Sequence, residues 1–397
     1  MRRRRGAAAV PTGTTVLVLW VGHRAGPWTC RALERAGHRV LRAHPAGAHD
    51  GRSPGHMRPL RYPPPTASPD AFLAFVARTC RARDVDAVLP LDEDIVRLLA
   101  ARAPDLGRAV VVGPTAAQYD ALCDKGRLAA TAREAGVDHP ATIEVSGEPP
   151  EGEWPGLPCL VKPRISGSSG LWEKPRLVRT AAERDAAVRA LVAAGVPALV
   201  QERVTGPRYV GHCVLSEGGL DVLGFLVERD HPRADGPASV MHTAPIPAPV
   251  IDGTRRLLDL VRYRGPCSLS FIERDGRFLV HDVNLRLGAT VEASVRAGFD
   301  VPSRAVAAAL GRPSPPLPPL APTRYVRLDG ELKELLRAVR GRGDGGESAR
   351  TIAHRIGAGI VSRRTVVDPS PVDPSWVLGL AWRKAQHLGS RARARVG

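Results

Sequence analysis

Residues 15–22 (TVLVLWVG) form an uncharged run that ends in glycine, the pattern of a short strand buried on both faces. Helical spacing follows over 28–36 and stops at Gly37, and 38–43 returns as a second strand. Strand, helix and strand in this order predict a βαβ unit, hence a parallel sheet covered by helices. The alternation continues with helix 70–83, buried strand 87–91, helix 93–102 and strand 109–112, which ends at Gly113-Pro114. Between them, 59–69 reads as a proline-rich loop. Residues 14–113 are therefore expected to fold as a small doubly wound α/β domain.

Beyond Pro114 the pattern changes. A helix is expected over 115–135, then a stretch rich in Pro, Gly and Glu up to Pro158, then strand 159–162 running into a glycine–serine loop. Helix 181–194 precedes long alternating segments at 198–204, 209–215 and 220–228. Segments 268–273 and 277–283 flank Asp275-Gly276, a two-residue hairpin signal. A helix over 293–310 and a proline run over 313–322 close it. The expected organisation is a disordered basic extension at 1–13, an α/β domain at 14–113, a second domain at 114–312, and a C-terminal region at 313–397 with a Pro-rich linker and a basic tail.

Composition narrows the choice of function. A chain of 397 residues is long for one core, and 43% hydrophobic with 24% charged residues is ordinary for a folded protein. No apolar run reaches the length of a membrane span. The opening Arg2 to Arg5 resembles the charged start of an export signal, but the apolar stretch 16–21 is short and leads straight into the strand–helix pattern. A formal charge of +17 raises nucleic-acid or anionic-membrane binding, with 376–395 as a possible basic surface helix. More than half of that excess sits at the two ends, and aromatics make up only 4%, which argues against base stacking. The six cysteines are scattered without metal or disulfide spacing, so a reducing cytoplasm is the expected compartment.

The chain uses arginine almost wherever it needs a cation; lysine occurs only at Lys125, Lys162, Lys174, Lys333 and Lys384, and asparagine only at Asn284. Lys162 ends a strand and precedes Ser166, Gly167, Ser168, Ser169 and Gly170. An ammonium beside a flexible Gly/Ser loop suits a polyphosphate, and equally suits a surface position before an ordinary loop. Asp282 and Asn284 are two apart on a strand, so their oxygens share one face and can hold a hard cation such as Mg²⁺, or simply form a polar outer face. Arg286 is expected to extend that face, and His281 to point to the other side as a structural residue.

Taken in order, the small α/β domain, Asp124-Lys125, Lys162 with its loop, the segment 200–206 (VQERVTG), the Asp-Gly hairpin and the segment 282–286 (DVNLR) resemble the ATP-grasp superfamily. That superfamily includes biotin carboxylase and the carbamoyl phosphate synthetase ATP-grasp domains. The resemblance implies a pre-ATP-grasp domain followed by an ATP-grasp fold with a small lid over about 128–198 and an antiparallel-sheet subdomain. It implies ATP and Mg²⁺, with Lys125 and Lys162 on the phosphates, 166–170 as a flap, and the backbone of Gln201, Glu202, Arg203 and Val204 reading adenine. Ile272 would pack on the adenine ring, Asp282 and Asn284 would hold the metal, and Arg286, with Lys162, would serve catalysis. The implied reaction joins a carboxylic acid to an amine through an acyl phosphate, releasing ADP and phosphate. No nucleic-acid partner and no integral membrane association are expected. Two departures stand out: the family usually places an acidic residue or Gln near the position of Ser268 or Ser270 as a further metal ligand, and Arg208 stands where the family often has a glutamate for the ribose hydroxyls. They keep open an ATP-binding protein of regulatory or degenerate activity, beside the remoter basic surface-binding reading.

Overall fold

The computed structural model describes residues 13–47, 59–102, 104–147, 154–165, 175–230, 238–341, 347–362 and 364–368. The chain divides into two compact units, one of residues 1–113, 286–329 and 353–397, the other of 114–285 and 330–352.

In the first unit, Thr15–Leu19 (β1) is fully buried and is followed by Gly26–Arg35 (α1), which carries a proline in its first turn where no N–H partner is needed. Arg39–Pro45 (β2) returns parallel to β1. Leu60–Tyr62 (β3) adds to β2, also in parallel. Sequence periodicity gave only a loop there, because three residues among prolines are too few to show alternation. Pro69–Ala82 (α2), Ala87–Pro90 (β4), Glu93–Ala101 (α3) and Val110–Val111 (β5) complete a sheet of order β3-β2-β1-β4-β5. Leu17, Leu19, Tyr62, Phe72, Val76, Val88, Ile95 and Leu99 form its core. The order reverses direction beside β1 and β4, the place where open α/β sheets form a crevice at their strand C-termini.

The second unit opens with Ala116–Leu122 (α4) and Lys125–Glu134 (α5) in place of the single helix expected over 115–135. The break has a local cause: Asp124 leaves the helical region (φ −72°, ψ 110°), and its carboxylate accepts from the Gly126 N–H at 2.9 Å. An N-cap inside an apolar helical pattern does not disturb the pattern. Thr142–Val145 (β6), Cys159–Pro163 (β7), Arg176–Val178 (β8), Ala181–Ala193 (α6) and Ala198–Glu202 (β9) form an antiparallel sheet of order β6-β9-β7-β8. Val161, Val178, Val188, Leu191 and Val200 pack between that sheet and α6.

The remaining strands are Arg208–Ser216 (β10), Gly219–Asp230 (β11), Ala238–Thr243 (β12), Gly265–Arg274 (β13) and Arg277–Asn284 (β14), with helix Ala248–Leu260 (α7) before β13. They run in the antiparallel order β14-β13-β10-β11-β12. One face, with Cys213, Leu215, Leu269, Phe271, Val280 and Val283, packs on Leu128 and Ala132 of α5 and on Val250 and Leu257 of α7. The Asp275-Gly276 turn joins β13 to β14 with both residues at positive φ (52° and 74°), as the sequence signal requires.

The chain returns to the first unit with Val291–Ala297 (α8) and Val301–Ala309 (α9), both packed on α1. The single helix expected over 293–310 is broken by Gly298 in the left-handed region (φ 99°) and by Asp300, whose carboxylate caps Ser303 N–H at 3.2 Å. Arg324–Arg327 (β15) continues this unit, Leu328–Val339 (α10) falls almost wholly in the second, and Ala349–Val361 (α11) leads back to Thr365–Asp368 (β16), which pairs with β15 in parallel. Among the described residues no helix is long and apolar enough to cross a membrane.

Gly206, in the segment joining β9 to β10, is fixed by its surroundings. Its φ is 156°, and a Cβ there would lie 1.9 Å from the Glu273 carbonyl oxygen. Gly206→Ala is expected to cost about 2 kcal/mol or more, because backbone must move to admit the methyl group. Urea denaturation of the two proteins measures this, with the change read in the midpoint at constant slope.

Candidate active site

The face of the antiparallel sheet opposite the helices carries the polar residues that the sequence singled out. Register places Ser270 opposite Asp282, Ser268 opposite Asn284, and Ile272 opposite Leu279 on one side and Arg208 on the other. The register slips between Ser270 and Phe271: Phe271 pairs with Val280, which leaves His281 as an extra residue, a β-bulge. The expectation that His281 points away from Asp282 is therefore wrong. Alternation by two fails at a bulge, and His281 lies within the electrostatic reach of Asp282, Arg208, Lys162 and His139. The expected continuation of the face to Arg286 also fails, because the strand ends at Asn284.

Lys162, at the end of β7, is 5% exposed. Its Nζ donates to Gln201 Oε1 on β9 at 2.9 Å, Gln201 Nε2 donates to Thr142 Oγ1 on β6 at 2.9 Å, and Thr142 Oγ1 donates to the Pro140 carbonyl at 2.9 Å. This relay fixes the orientation of the Gln201 amide so that its oxygen faces the ammonium. Burial and then the neighbouring Lys125 bring Lys162 down to about 7, against the opposing pull of Asp282. A buried ammonium beside another, hydrogen-bonded to the Gln201 carboxamide, is suited to an anion.

Lys125 is the first residue of α5, and its place follows from the cap beneath it. Arg164 Nε lies 2.9 and 3.0 Å from the two Asp124 carboxylate oxygens, and Arg164 Nη1 lies 2.8 Å from Glu144. Arg164 follows Lys162 by two residues, so one guanidinium ties the start of α5 to the end of β7 and thereby sets Lys125 relative to Lys162. Sequence reading missed this clamp, although the pair Asp124-x-Gly126 is an N-cap signal. Arg164→Ala is expected to lower stability by about 1 kcal/mol, the scale of a perturbed cap, and thermal melts of the two proteins measure it.

Asp282 completes the group. Burial alone would raise its carboxyl, but Lys125, His281, a hydrogen bond from Asn284 Nδ2 at 2.8 Å, and Lys162 together hold it below the usual carboxylate range. His281 adjoins it, and His139 in turn bears on His281. His139 Nδ1 meets the Pro140 carbonyl at 2.7 Å, and burial followed by Lys162 lowers it to about 4. His281 is lowered to about 3, first by burial and then, against the pull of Asp282, by Arg208, Lys162 and His139. Both imidazoles are therefore neutral near pH 7. The segment holding His139 docks on β14 through the Val280 N–H, which donates to the Asp138 carbonyl at 2.8 Å. Nothing in the sequence marks that docking, because it joins residues far apart in the chain.

The other expected site residues fall as follows. Gln201 and Glu202 end β9, and Arg203 and Val204 begin the segment toward β10. The Glu202 carboxylate pairs with Arg274, and Val204 is buried. Ile272 Cγ2 lies 3.8 Å from where a Cβ on Gly206 would stand, so it borders that segment. Arg286 belongs to the first unit, where its Nε donates to Glu93 Oε2 at 2.7 Å and helps to offset the burial that raises Asp92 to about 6. Ser166, Gly167, Ser168, Ser169 and Gly170, the expected flap, lie outside the described residues, as do the two basic ends.

Asp282 and Asn284 fit a hard divalent cation. One is a partly buried carboxylate held ionised, the other a carboxamide on the same face, and Ser270 and Ser268 stand opposite them. Among the described residues no group of three or more His, Cys, Asp or Glu could hold a metal.

The class that this architecture defines is the ATP-grasp fold: a doubly wound parallel-sheet domain, a small antiparallel sheet with its helix, and a larger antiparallel sheet bearing the polar face. Solved structures share it at low identity. The L-amino acid ligase from Bacillus licheniformis is 17% identical with a TM-score of 0.60, covering 75% of each chain. An N5-carboxyaminoimidazole ribonucleotide synthetase in its ADP complex is 15% identical with a TM-score of 0.64, covering 84% of this chain and 86% of that one. The biotin carboxylase from Campylobacter jejuni is 12% identical with a TM-score of 0.59, covering 76% of this chain and 72% of that one. No protein-family model matches the sequence, and a search of the curated proteins returns no match.

Proposed function

We propose that this protein is an ATP-dependent carboxylate–amine ligase, which activates a carboxylic acid as an acyl phosphate and transfers the acyl group to an amine, releasing ADP and phosphate. The observation that carries this reading is that Lys125, Lys162 and Asp282 bear on one another electrostatically, with Lys162 buried, on a fold shared with ligases. A carboxylate resists attack because oxide is a poor leaving group; phosphorylation replaces oxide by phosphate. The protein's task is then to align the reactants, neutralise charge and exclude water.

In this reading Lys162 and Lys125 hold the triphosphate oxygens, and an anion beside Lys162 favours its protonated form. Asp282 and Asn284 hold Mg²⁺, which supplies Lewis-acid neutralisation of phosphate charge. The backbone from Gln201 to Val204 takes the adenine edge, and Ile272 packs on the ring. The acid and amine are small molecules, with amino acids the first to test.

A screen of ADP release tests this reading, pairing carboxylic acids with pooled amino acids in the presence of Mg²⁺, with Lys162→Ala as control. The expected result is release that needs both an acid and an amine and vanishes in the variant. ATP binding without release under any pairing would favour the second reading, a nucleotide-binding regulator. Ser270 opposite Asp282, in place of a second carboxylate, is the observation behind that reading.

A further inference from the structure

On the polar face of β13 and β14 the register brings together Ser268, Ser270, Ile272, Asp282 and Asn284, with Asp282 as the one carboxylate. Two divalent ions bound side by side require carboxylates to bridge and neutralise them. Hydroxyls at Ser268 and Ser270 add oxygen but no charge. The cations on this face are instead side chains. Lys125 and Lys162 bear on Asp282, and Arg208 enters from β10, opposite Ile272 and diagonal to Ser270. Arg208 and Lys162 both bear on His281. The bulge turns His281 into this group, and its buried Nε2 meets no hydrogen-bond partner among the described residues. A buried ring nitrogen without a partner costs free energy unless a ligand satisfies it.

Resting on the nucleotide-binding reading above, we propose that the triphosphate is bound with a single divalent cation, on Asp282 and Asn284, and that Arg208 and His281 make phosphate contacts in the place of a second ion. The Arg208 guanidinium is a fixed charge with a forked set of donors suited to phosphate oxygens. His281, with a proton on its unpartnered Nε2, donates one hydrogen bond at the point where the bulge aims it. Ser270 leaves room for both because it is small and uncharged.

The test is a Mn²⁺ titration of the full-length protein followed by electron paramagnetic resonance, with a non-hydrolysable ATP analogue present. One Mn²⁺ per bound nucleotide is expected, and Ser270→Glu is expected to raise the count to two. Calorimetry at saturating Mn²⁺ is expected to show analogue affinity about 10- to 100-fold weaker in Arg208→Gln and in His281→Leu, the loss of a hydrogen bond to a charged group. Arg208→Lys and His281→Gln, which keep a donor, are expected to recover most of it. The Mn²⁺ count stays at one in all four. Two Mn²⁺ per nucleotide in the unaltered protein, or full affinity in both Arg208→Gln and His281→Leu, overturns this inference and leaves the ligase reading standing. Failure of the unaltered protein to bind the analogue at all overturns both.

Discussion

Lys162→Met is expected to abolish nucleotide-dependent ADP release while raising the stability of the ligand-free protein. The two effects have one cause. The ammonium is buried beside Lys125 and pushed down to about 7, so the folded, ligand-free protein pays a desolvation penalty to keep it charged. Methionine fills nearly the same volume without that penalty, but gives the phosphates nothing. The pH dependence follows from the depressed value. Between about 7 and the ordinary lysine value the unfolded chain holds a proton on this residue that the folded protein lacks, so unfolding takes up a proton and stability rises with pH across that window. The advantage of Lys162→Met should therefore be largest below pH 7 and shrink steadily toward pH 10. Urea midpoints of both proteins at several pH values measure it; a constant difference would show that Lys162 keeps an ordinary titration in the fold.

Asp282→Asn is expected to lower ADP release by about 100-fold or more and to make its metal requirement much weaker in affinity. In the proposed reading the carboxylate is the charged ligand for the cation, and in the structure it is a counter-charge to Lys125 and Lys162. Its loss leaves two ammonium groups near each other without a carboxylate between them. Lys162 should then titrate lower still, and the ligand-free protein should lose stability on the scale of a broken buried pair, about 3 kcal/mol. Nucleotide relieves this repulsion by bringing its own negative charge, so the variant's melting temperature should rise on addition of metal-free ATP. Initial rates over a Mg²⁺ series and melts with and without nucleotide check both parts. An Asp282→Asn protein with unchanged Mg²⁺ dependence would remove Asp282 from the metal site.

What the sequence made legible followed from patterns that depend on near neighbours. The buried run at β1, the βαβ alternation and the Asp275-Gly276 hairpin are local, and each was found where expected. The pairing of Asp282 with Asn284 on one face needed only the two-residue period of a strand. His281 was misread by the same rule, since one extra residue at a bulge reverses the facing of all that lies beyond it. Arg286 was carried onto the strand face because nothing in the apolar pattern marks the strand end at Asn284. Helix 115–135 was read as continuous because Asp124 caps α5 without interrupting its apolar spacing. The relay from Lys162 through Gln201 and Thr142 was not legible at all. It joins three strands whose pairing is decided by β6-β9-β7 order, a tertiary fact.

The most direct test of the central claim is isothermal titration of a non-hydrolysable ATP analogue with Mg²⁺ near pH 8, repeated in buffers of different ionisation enthalpy. If Lys125, Lys162 and Asp282 form one triphosphate site, Lys162 is mostly neutral before binding and charged after it. Binding should then take up close to one proton, and both the affinity and the proton uptake should collapse in Lys162→Met. Tight binding with no proton uptake, undiminished in that variant, would place the nucleotide elsewhere and contradict the account.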